Sequence, residues 1–480
     1  MEAREALVSR EQDFSEWYNA VVLKAGLADY GPVRGTMIIK PYGWALWENI
    51  QAALDKRFKA TGHENAAFPM FIPISFLQKE AKHVKGFAPE LAIVTHGGGE
   101  ELAEPLAVRP TSETIIGHTY ARWIQSYRDL PILLNLWNSV VRWELRTKLF
   151  LRTLEFYWQE GHTAHATEQE AWEETRRMLD VYTDFAVNEA AIPVIPGEKS
   201  ENERFAGAEA TLTIEAMMGD GRALQSATSH FLGQNFARAF DIKYQDVNNT
   251  WQYCWTTSWG LSTRFIGAIV MTHGDQAGLI MPPRLAPIQC IIVPIFKSDS
   301  EKTAVLQAVE AIRQEVADLN IRIKADIRTE VSPGYKFNDW ELKGVPVRIE
   351  VGPRDVQNAT VVLARRDQPG KAGKQTITRA ALRQALPALL EQIQANLLLK
   401  ARQFRDANTF DVKTYDELKE AVAKGFARGW WAGSSEDEQR IQEETKATLR
   451  CLPLEQPGGS GTCLYTGKPA NRIAIFGRSY

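Results

Sequence analysis

WGLSTRFIGAIVMTHGDQAGLIMPP, residues 259–283, is the stretch on which the fold of this 480-residue chain turns. Gly260 closes an aromatic strand, and Arg264 opens a helix one turn later. A glycine at such a junction lets backbone approach a ligand closely, and an arginine there can grip a phosphate with two parallel hydrogen bonds. Downstream, the proline-rich run MPPRLAPIQ (281–289) reads as a linker. The chain has neither a GxxxxGKS loop nor a convincing GxGxxG, so any nucleotide site here is not of the P-loop or Rossmann kind.

Upstream of this stretch the chain mixes helices and strands without a repeat. TWQYCWTTSW spaces Trp251, Tyr253, Trp255 and Trp259 for a single strand with one large apolar face, a pattern that core packing explains by itself. WALWENIQAALDKRFKA (44–60) repeats apolar residues at three and four, as an amphipathic helix does. AAFPMFIPI reads as a strand, 132–144 and 153–160 as two strands joined by the charged loop RTKLFLR, and 205–217 as strand-rich. Beyond the linker, QCIIVPIF, IRIKADI, VPVRIEVG and ATVVLARR read as strands between helices at 298–319 and 378–405. That alternation predicts an α/β unit with a mixed sheet. Helices around 414–428 and 435–447 and a Gly-rich turn before IAIFGRSY make a third unit. The expected division is 1–284, 285–405 and 406–480.

Composition sets the limits. Apolar residues at 44% and charged residues at 24% suit a folded globular protein. A net charge of −3 offers no global attraction for nucleic acid, so an RNA contact needs a local patch. Four scattered cysteines (Cys254, Cys290, Cys451, Cys463) are too few for a disulfide framework and suit a reducing cytoplasm. The first residues carry acids where a signal peptide needs an apolar run, and no apolar stretch approaches the roughly 20 residues that span a bilayer.

RPTSET (109–114), VRWE (141–144) and LRTLEFYWQEGH (151–162) place Arg142 and Arg152 near Glu113, Glu144 and Glu160. That mix suits a substrate with both anionic and cationic groups. Read alone, it is equally a hairpin with surface ion pairs. QSATSH (225–230) is a second constellation. His162 and His165, three apart on a strand, fall on opposite faces and make a poor metal pair.

Together these strings carry a specific resemblance. The helix before Pro69, the hairpin bearing Arg142 and Glu144, and the strand–Gly260–Arg264–helix segment resemble, in order, the three signature motifs of class II aminoacyl-tRNA synthetases. GFAPE (86–90), RPTSE (109–113), LRTLEFYWQEGH, WTTSWGLSTR (255–264) and HGDQAGL (273–279) are similar to prolyl-tRNA synthetase of the archaeal and eukaryotic type. GYKFNDWELKGVPVRIEVGPRD (334–355) resembles that family's anticodon-binding domain, and QEETKATLRC (442–451) its C-terminal domain. The resemblance runs from about residue 15 to Tyr480. It implies an α+β and α/β multidomain ligase: a class II catalytic domain on an antiparallel sheet, an α/β anticodon-binding domain and a small α/β C-terminal domain.

It also implies roles. Catalysis rests on Arg142, between the proline carboxylate and the α-phosphate, and on Arg264 at the γ-phosphate. L-proline is received by Thr111 and Glu113 at its secondary ammonium, with Trp158, Glu160, His162, Phe205 and His230 around its ring. ATP is held by Arg142, Glu144, Arg152, Thr153, Phe156 (stacked on adenine), Gln225, Thr228, Ser262 and Arg264, with Glu144 and Gln225 near Mg²⁺. From Arg322 to Lys374 there are 11 basic and 7 acidic residues, a local positive balance for tRNA(Pro). Glu341, Arg348 and Asp355 are the implied readers of anticodon guanines. The family also implies a cytoplasmic homodimer.

Three features depart from the family. The roughly 60 residues from His162 to Gln225 leave no space for an inserted editing domain. The family's C-terminal zinc site wants four cysteines, and positions near Ala432 and Asp437 lack them while Cys451 and Cys463 remain; no structural zinc is expected. Gln276 stands where a second acid is more usual. The competing readings are a synthetase for threonine, serine or glycine, which lacks its marker Cys/His set here, and a paralogue that has lost catalysis, against which Arg142 and Arg264 both speak.

Overall fold

The computed structural model describes residues 7–83, 91–144 and 146–480; GFAPE at 86–90 lies outside the described residues. Helix α1 (Phe14–Lys24) is capped by the Asp13 side chain, which accepts from the Glu16 amide. Helix α2 (Pro41–Ala60) starts at a proline and buries Leu46, Trp47, Ile50, Leu54 and Phe58 at the spacing its sequence announces.

Further elements up to residue 273 form one side of a large sheet and its covers. They are β1 (Glu64–Asn65), α3 (Glu113–Trp123), β2 (Ile132–Val141), β3 (Glu155–His165), α4 (Glu168–Asp184), β4 (Val194–Glu198), β5 (Ala210–Met217), β6 (Ala223–Gly233), β7 (Trp255–Ser262) and α5 (Arg264–His273). Helix α4 begins with a reciprocal cap between Thr167 and Glu170 and packs across the back of the sheet, where its Tyr182 meets Trp259 edge to face at 6.3 Å.

The middle part contains β8 (Cys290–Pro294), α6 (Asp299–Glu315), β9 (Ile323–Ala325), α7 (Pro333–Leu342), β10 (Val347–Val351), α8 (Pro353–Asn358), β11 (Thr360–Arg365), β12 (Lys374–Thr378) and α9 (Leu382–Ala407). Its five strands run in the order β9-β8-β10-β11-β12, the first three mutually parallel and the rest antiparallel, so the expected mixed sheet is present. A bidentate ion pair between Arg366 and Asp275 fixes this part to the loop after α5.

The last part contains β13 (Thr409–Asp411), α10 (Tyr415–Ala421), β14 (Phe426–Trp431), α11 (Ser435–Thr445), β15 (Thr448–Pro453) and β16 (Arg472–Gly477). Its strands do not make a sheet of their own. Leu452 and Pro453 of β15 pair with Glu198 and Gly197 of β4, giving one eleven-stranded sheet in the order β13-β14-β16-β15-β4-β5-β6-β7-β3-β2-β1. It is antiparallel except at its two outer pairs.

Four local expectations need correction. The aromatic strand does not close at Gly260 but continues in register to Ser262. TWQYCWTTSW is two strands, because the chain turns at buried Cys254. Trp251–Tyr253 pairs with Lys243–Gln245, whereas Trp255 onward enters the large sheet. Trp251 is consequently 49% exposed while Trp259 is buried. AAFPMFIPI contributes only Phe71–Pro73, paired with the strand Glu100–Val108. The helix expected at 414–428 stops at Ala421, and the β-prone FARGWW forms β14.

Candidate active site

Strand periodicity and register build the site. Alternate residues of β3, β7, β6 and β5 share a face, and antiparallel pairing aligns them in rungs. One rung reads His162, Ser258, His230, Thr211; the next reads Glu160, Gly260, Thr228, Thr213. Trp158 lies opposite Ser262 one rung further. Gly260 is the one residue of its rung without a side chain, and the floor opens there into a cavity of about 300 Å³. The residues in between face the other way. Trp259 lies directly across from Gly161, and a Cβ on Gly161 would come within 2.1 Å of the indole, so close ring packing requires glycine there.

The wall of this cavity contains Thr111, Glu113, Arg142, Trp158, Glu160, His162, Phe205 and His230, the whole expected proline set. It also contains Phe156, Gln225, Thr228, Ser262 and Arg264 from the expected ATP set. Glu144, Arg152 and Thr153 are not on the wall. Arg152 stands 4.0 Å from Glu144 on the hairpin loop, and the Thr153 hydroxyl donates to the Glu155 carbonyl at 2.7 Å. Glu203, Ser226, Ala227 and Ser258 also line the cavity, beyond the residues that the sequence points to. Ser226 and Ser258 follow from period two once Thr228, His230 and Ser262 are in hand. Glu203 comes from a loop turn with no sequence signal.

The two arginines are fixed in the same way. Arg142 Nε donates to the Pro110 carbonyl at 3.0 Å, and its guanidinium lies 5.4 and 5.6 Å from the rings of Phe156 and Trp158. Arg264 Nε donates to the Leu151 carbonyl at 3.1 Å. Among the described residues no group accepts from the terminal nitrogens of either, so both forks are available to an anion. Burial, together with repulsion from Arg142, Arg152 and Arg450, pushes Arg264 down to about 10. It stays charged at neutral pH in a cluster that a polyphosphate would relieve.

Opposite the arginines, Glu113 is the first residue of α3, where the helix dipole favours a carboxylate, and it accepts from the Thr111 hydroxyl. Arg109 braces the turn before it, donating to the Ser139 and Phe68 carbonyls at 2.7 and 2.9 Å. Glu160 is fully engaged, accepting from the Ser112 hydroxyl, from Asn138 at 2.9 Å and from His162 at 2.8 Å. Burial disfavours protonated His162, but the bond to Glu160 and the charges of Glu160 and Glu113 outweigh it and hold His162 above the usual imidazole range. His230 differs: burial and the charge of His162 push it down to about 3, and its two nitrogens sit between the hydroxyls of Thr211 and Thr228. Phe205 covers its ring at 4.6 Å.

His165, on the opposite face from His162, and His273 are also neutral, each pushed down to about 4 by burial. The unfolded chain takes up these protons near the ordinary imidazole value and the folded chain does not. Stability is therefore full above about pH 6.5 and falls toward pH 4, by at most about 1.4 kcal/mol per pH unit for each histidine. Paired His162 has the opposite sign, losing its contribution as pH rises through its elevated value. The urea midpoint is expected to be lower at pH 5.5 than at pH 7.5; an equal or higher midpoint contradicts this assignment.

The departures from the family pattern acquire structural accounts. Gln276 accepts from the Arg10 amide at 2.9 Å and donates to the Leu7 and Val8 carbonyls at 3.2 and 3.1 Å. A carboxylate could not make the two donations, so the amide suits this N-terminal clip. Cys451 packs against Gly197 in the cluster with Met217 and Phe426, whereas Cys463 belongs to the cluster around Trp431 and Phe476. Asp437 caps α11 by accepting from the Ser434 amide at 2.9 Å. Among the described residues no group of three or more His, Cys, Asp or Glu is placed to hold a metal, and no helix is long and apolar enough to cross a membrane.

In the middle part, Arg348 donates to Glu350 at 2.9 Å and lies 4.1 Å from the Phe337 ring, with Lys374 at 5.5 Å from the same ring. The Glu341 carbonyl accepts from Arg366 at 2.8 Å. Asp355 is committed to its own helix, accepting from the Gly352 amide at 2.9 Å and the Thr360 hydroxyl at 3.1 Å.

Comparison with known proteins is consistent along the whole chain. Residues 95–273 match the tRNA synthetase class II core domain (G, H, P, S and T), 289–389 an anticodon-binding domain, and 415–480 the prolyl-tRNA synthetase C-terminal domain. A proline–tRNA ligase of Chloroflexus aggregans is 60% identical over 479 residues, covering 99% of this chain and 100% of that one. The chloroplastic/mitochondrial proline–tRNA ligase of Arabidopsis thaliana is 57% identical, covering 99% of this chain and 88% of the plant protein. The crystal structure of prolyl-tRNA synthetase from Cryptosporidium parvum, complexed with halofuginone and AMPPNP, superposes with a TM-score of 0.93 at 40% identity over 99% of both chains.

Proposed function

The chain belongs to the class II prolyl-tRNA synthetases, and from that premise we propose how its cavity divides the work of a proline–tRNA ligase. The reaction joins L-proline to ATP, forming prolyl-adenylate and releasing pyrophosphate, and then moves the prolyl group to the 3′ end of tRNA(Pro). In the first step a carboxylate oxygen bonds to the α-phosphorus as the bond to pyrophosphate breaks. Two anions must meet, so the step needs charge neutralisation and alignment more than a general base. Arg142 bridges the carboxylate and the α-phosphate, and Arg264 holds the γ-phosphate. Thr111 and Glu113 take the two N–H donors of the ring ammonium. Trp158, His162, Phe205 and neutral His230 enclose the ring, with Glu160 keeping His162 in place. Phe156, Gln225, Thr228 and Ser262 meet the nucleotide, and Glu144, Arg152 and Thr153 reach it from the hairpin loop.

The Glu144 carboxylate and Gln225 carbonyl are oxygen donors of the kind Mg²⁺ prefers alongside phosphates. Bound there, Mg²⁺ would neutralise phosphate charge. We divide the chain at 284 and 405, with β15 tying the last domain into the catalytic sheet. In the second domain Glu341 and Arg348 read the anticodon, with Phe337 as a stacking surface, while Asp355 acts mainly through the fold of α8. The C-terminal domain works without zinc. The enzyme is cytoplasmic and a homodimer, the latter supported by exposed Met70, Phe71 and Ile93 around Pro69.

The observation that carries this reading is one wall bearing two arginines with open forks, facing a carboxylate–hydroxyl pair at a helix start. Amino-acid-dependent ATP–pyrophosphate exchange across proline, alanine, threonine, serine and glycine tests it. Exchange is expected with proline, with alanine weaker by only about 10–200-fold because an apolar slot discriminates poorly by size. Preference for threonine or serine, or silence with every amino acid, refutes it.

A further inference from the structure

The segment KSENERF, residues 199–205, joins β4 to β5 and brings Glu203 and Phe205 to the cavity wall. Little within it sets its shape. Its ends are tied to Thr211, through the Lys199 amide to the Thr211 carbonyl at 2.8 Å and the Phe205 amide to the Thr211 hydroxyl at 3.1 Å. Between them is a single 3₁₀ turn, Glu201–Glu203, whose three residues include two acids.

What meets the middle of this segment comes from more than 230 residues away. The Ser200 hydroxyl donates to Glu438 Oε2 at 2.6 Å, and Asn202 donates to the Ser435 carbonyl at 2.7 Å. Both partners belong to α11, in the C-terminal domain. From below, Lys199 donates to the Arg450 carbonyl at 2.8 Å, and Arg450 stands 3.8 Å from Glu203. Because β15 continues the catalytic sheet, α11 is held rigidly over the segment.

We propose that α11 is a positioning device for the amino-acid pocket: Glu438, through Ser200, and Ser435, through Asn202, hold residues 199–205 so that Phe205 stays over His230. These groups touch no substrate. Their effect is entropic, because a segment left free must be ordered when the amino acid binds. The arginines that receive phosphate stand at the end of β2 and the start of α5 and are anchored on the Pro110 and Leu151 carbonyls rather than on this segment, so loosening it is expected to act mainly on the amino acid. The inference rests on the assignment of Phe205 and His230 to the proline pocket.

The test is steady-state pyrophosphate exchange with the full-length protein. Glu438→Ala is expected to raise KM for proline about fivefold, the worth of one hydrogen bond, while KM for ATP and kcat change by less than about twofold. Glu438→Gln keeps an acceptor for Ser200 and is expected to restore the wild-type KM. Ser200→Ala cuts the same bond from the segment's own side and is expected to raise KM for proline equally, which keeps the test intact if Glu438→Ala does not fold. The double variant is expected to be no worse than either single one. An unchanged KM for proline, an equal rise in KM for ATP, or additive singles overturns the proposal. Phe205→Ala checks the underlying assignment: an unchanged KM for proline with that variant refutes the pocket and the positioning role with it, whereas a raised KM there with Glu438→Ala silent refutes the positioning role alone.

Discussion

Proline-dependent pyrophosphate exchange is expected to fall roughly 10²–10³-fold when Arg142 is replaced by lysine, with most of the loss in kcat. Lysine keeps the charge, so the comparison isolates geometry. Arg142 spends Nε on the Pro110 carbonyl and lies near the rings of Phe156 and Trp158, which leaves a planar fork aimed by three contacts. An ammonium has no second nitrogen to anchor while the first bridges two anions. In the proposed role the bridge matters most when carboxylate and α-phosphate approach, so its loss is expected in the transition state. Single-turnover formation of prolyl-adenylate measures this step directly. A rate within about threefold of wild type would show that charge alone suffices and that the fork is not used.

The second large effect concerns stability. Glu215 is completely buried, with Lys199 Nζ at 2.8 Å on one oxygen and Arg450 Nε and Nη2 both at 3.1 Å on the other. Burial alone would raise its pKa, but the charges and hydrogen bonds of Arg450 and Lys199 prevail and hold it below the usual carboxylate range. Its contribution is therefore present above that range and lost as pH falls through the depressed value. Glu215→Ala strands two buried cations and is expected to cost about 3–5 kcal/mol, a large share of the roughly 5–15 kcal/mol typical of folded proteins. Chemical denaturation measures the loss. The triple variant Lys199→Met, Glu215→Leu, Arg450→Met removes the charges together and is expected to recover most of it. If the triple variant is as unstable as Glu215→Ala, packing rather than uncompensated charge is responsible. Since Arg450 lies on β15, the single variant is also expected to expose the junction between the C-terminal strands and β4 to proteolysis.

Much of the fold was legible because local signals agree. Helix α2 shows its buried stripe in the spacing of Leu46, Ile50, Leu54 and Phe58. The strand bearing Trp158, Glu160 and His162 displays one face by alternation alone. Failures came where two local patterns adjoin. The aromatic run through Cys254 has a strand's alternation on both sides of a turn, and nothing in the alternation marks the change of partner.

The sequence by itself determined the family, the set of residue types around the cavity and the face each one takes on its own strand, because period two and motif spacing are properties of neighbouring residues. Only the tertiary structure decided which rungs meet. Placing His162 beside Ser258, His230 and Thr211 requires register between strands far apart in the chain, and register is set by long-range packing. The same holds for the solitary contacts. Glu203 enters the cavity from a loop, Asp355 turns back to cap its own helix, and Gln276 clips the N-terminal segment. Each is fixed by partners distant in space or turned back on the chain, and no residue type or spacing announces which partner that will be. The union of the C-terminal strands with the catalytic sheet is of this kind too, since it depends on the pairing of Leu452 and Pro453 with Glu198 and Gly197, far earlier in the chain.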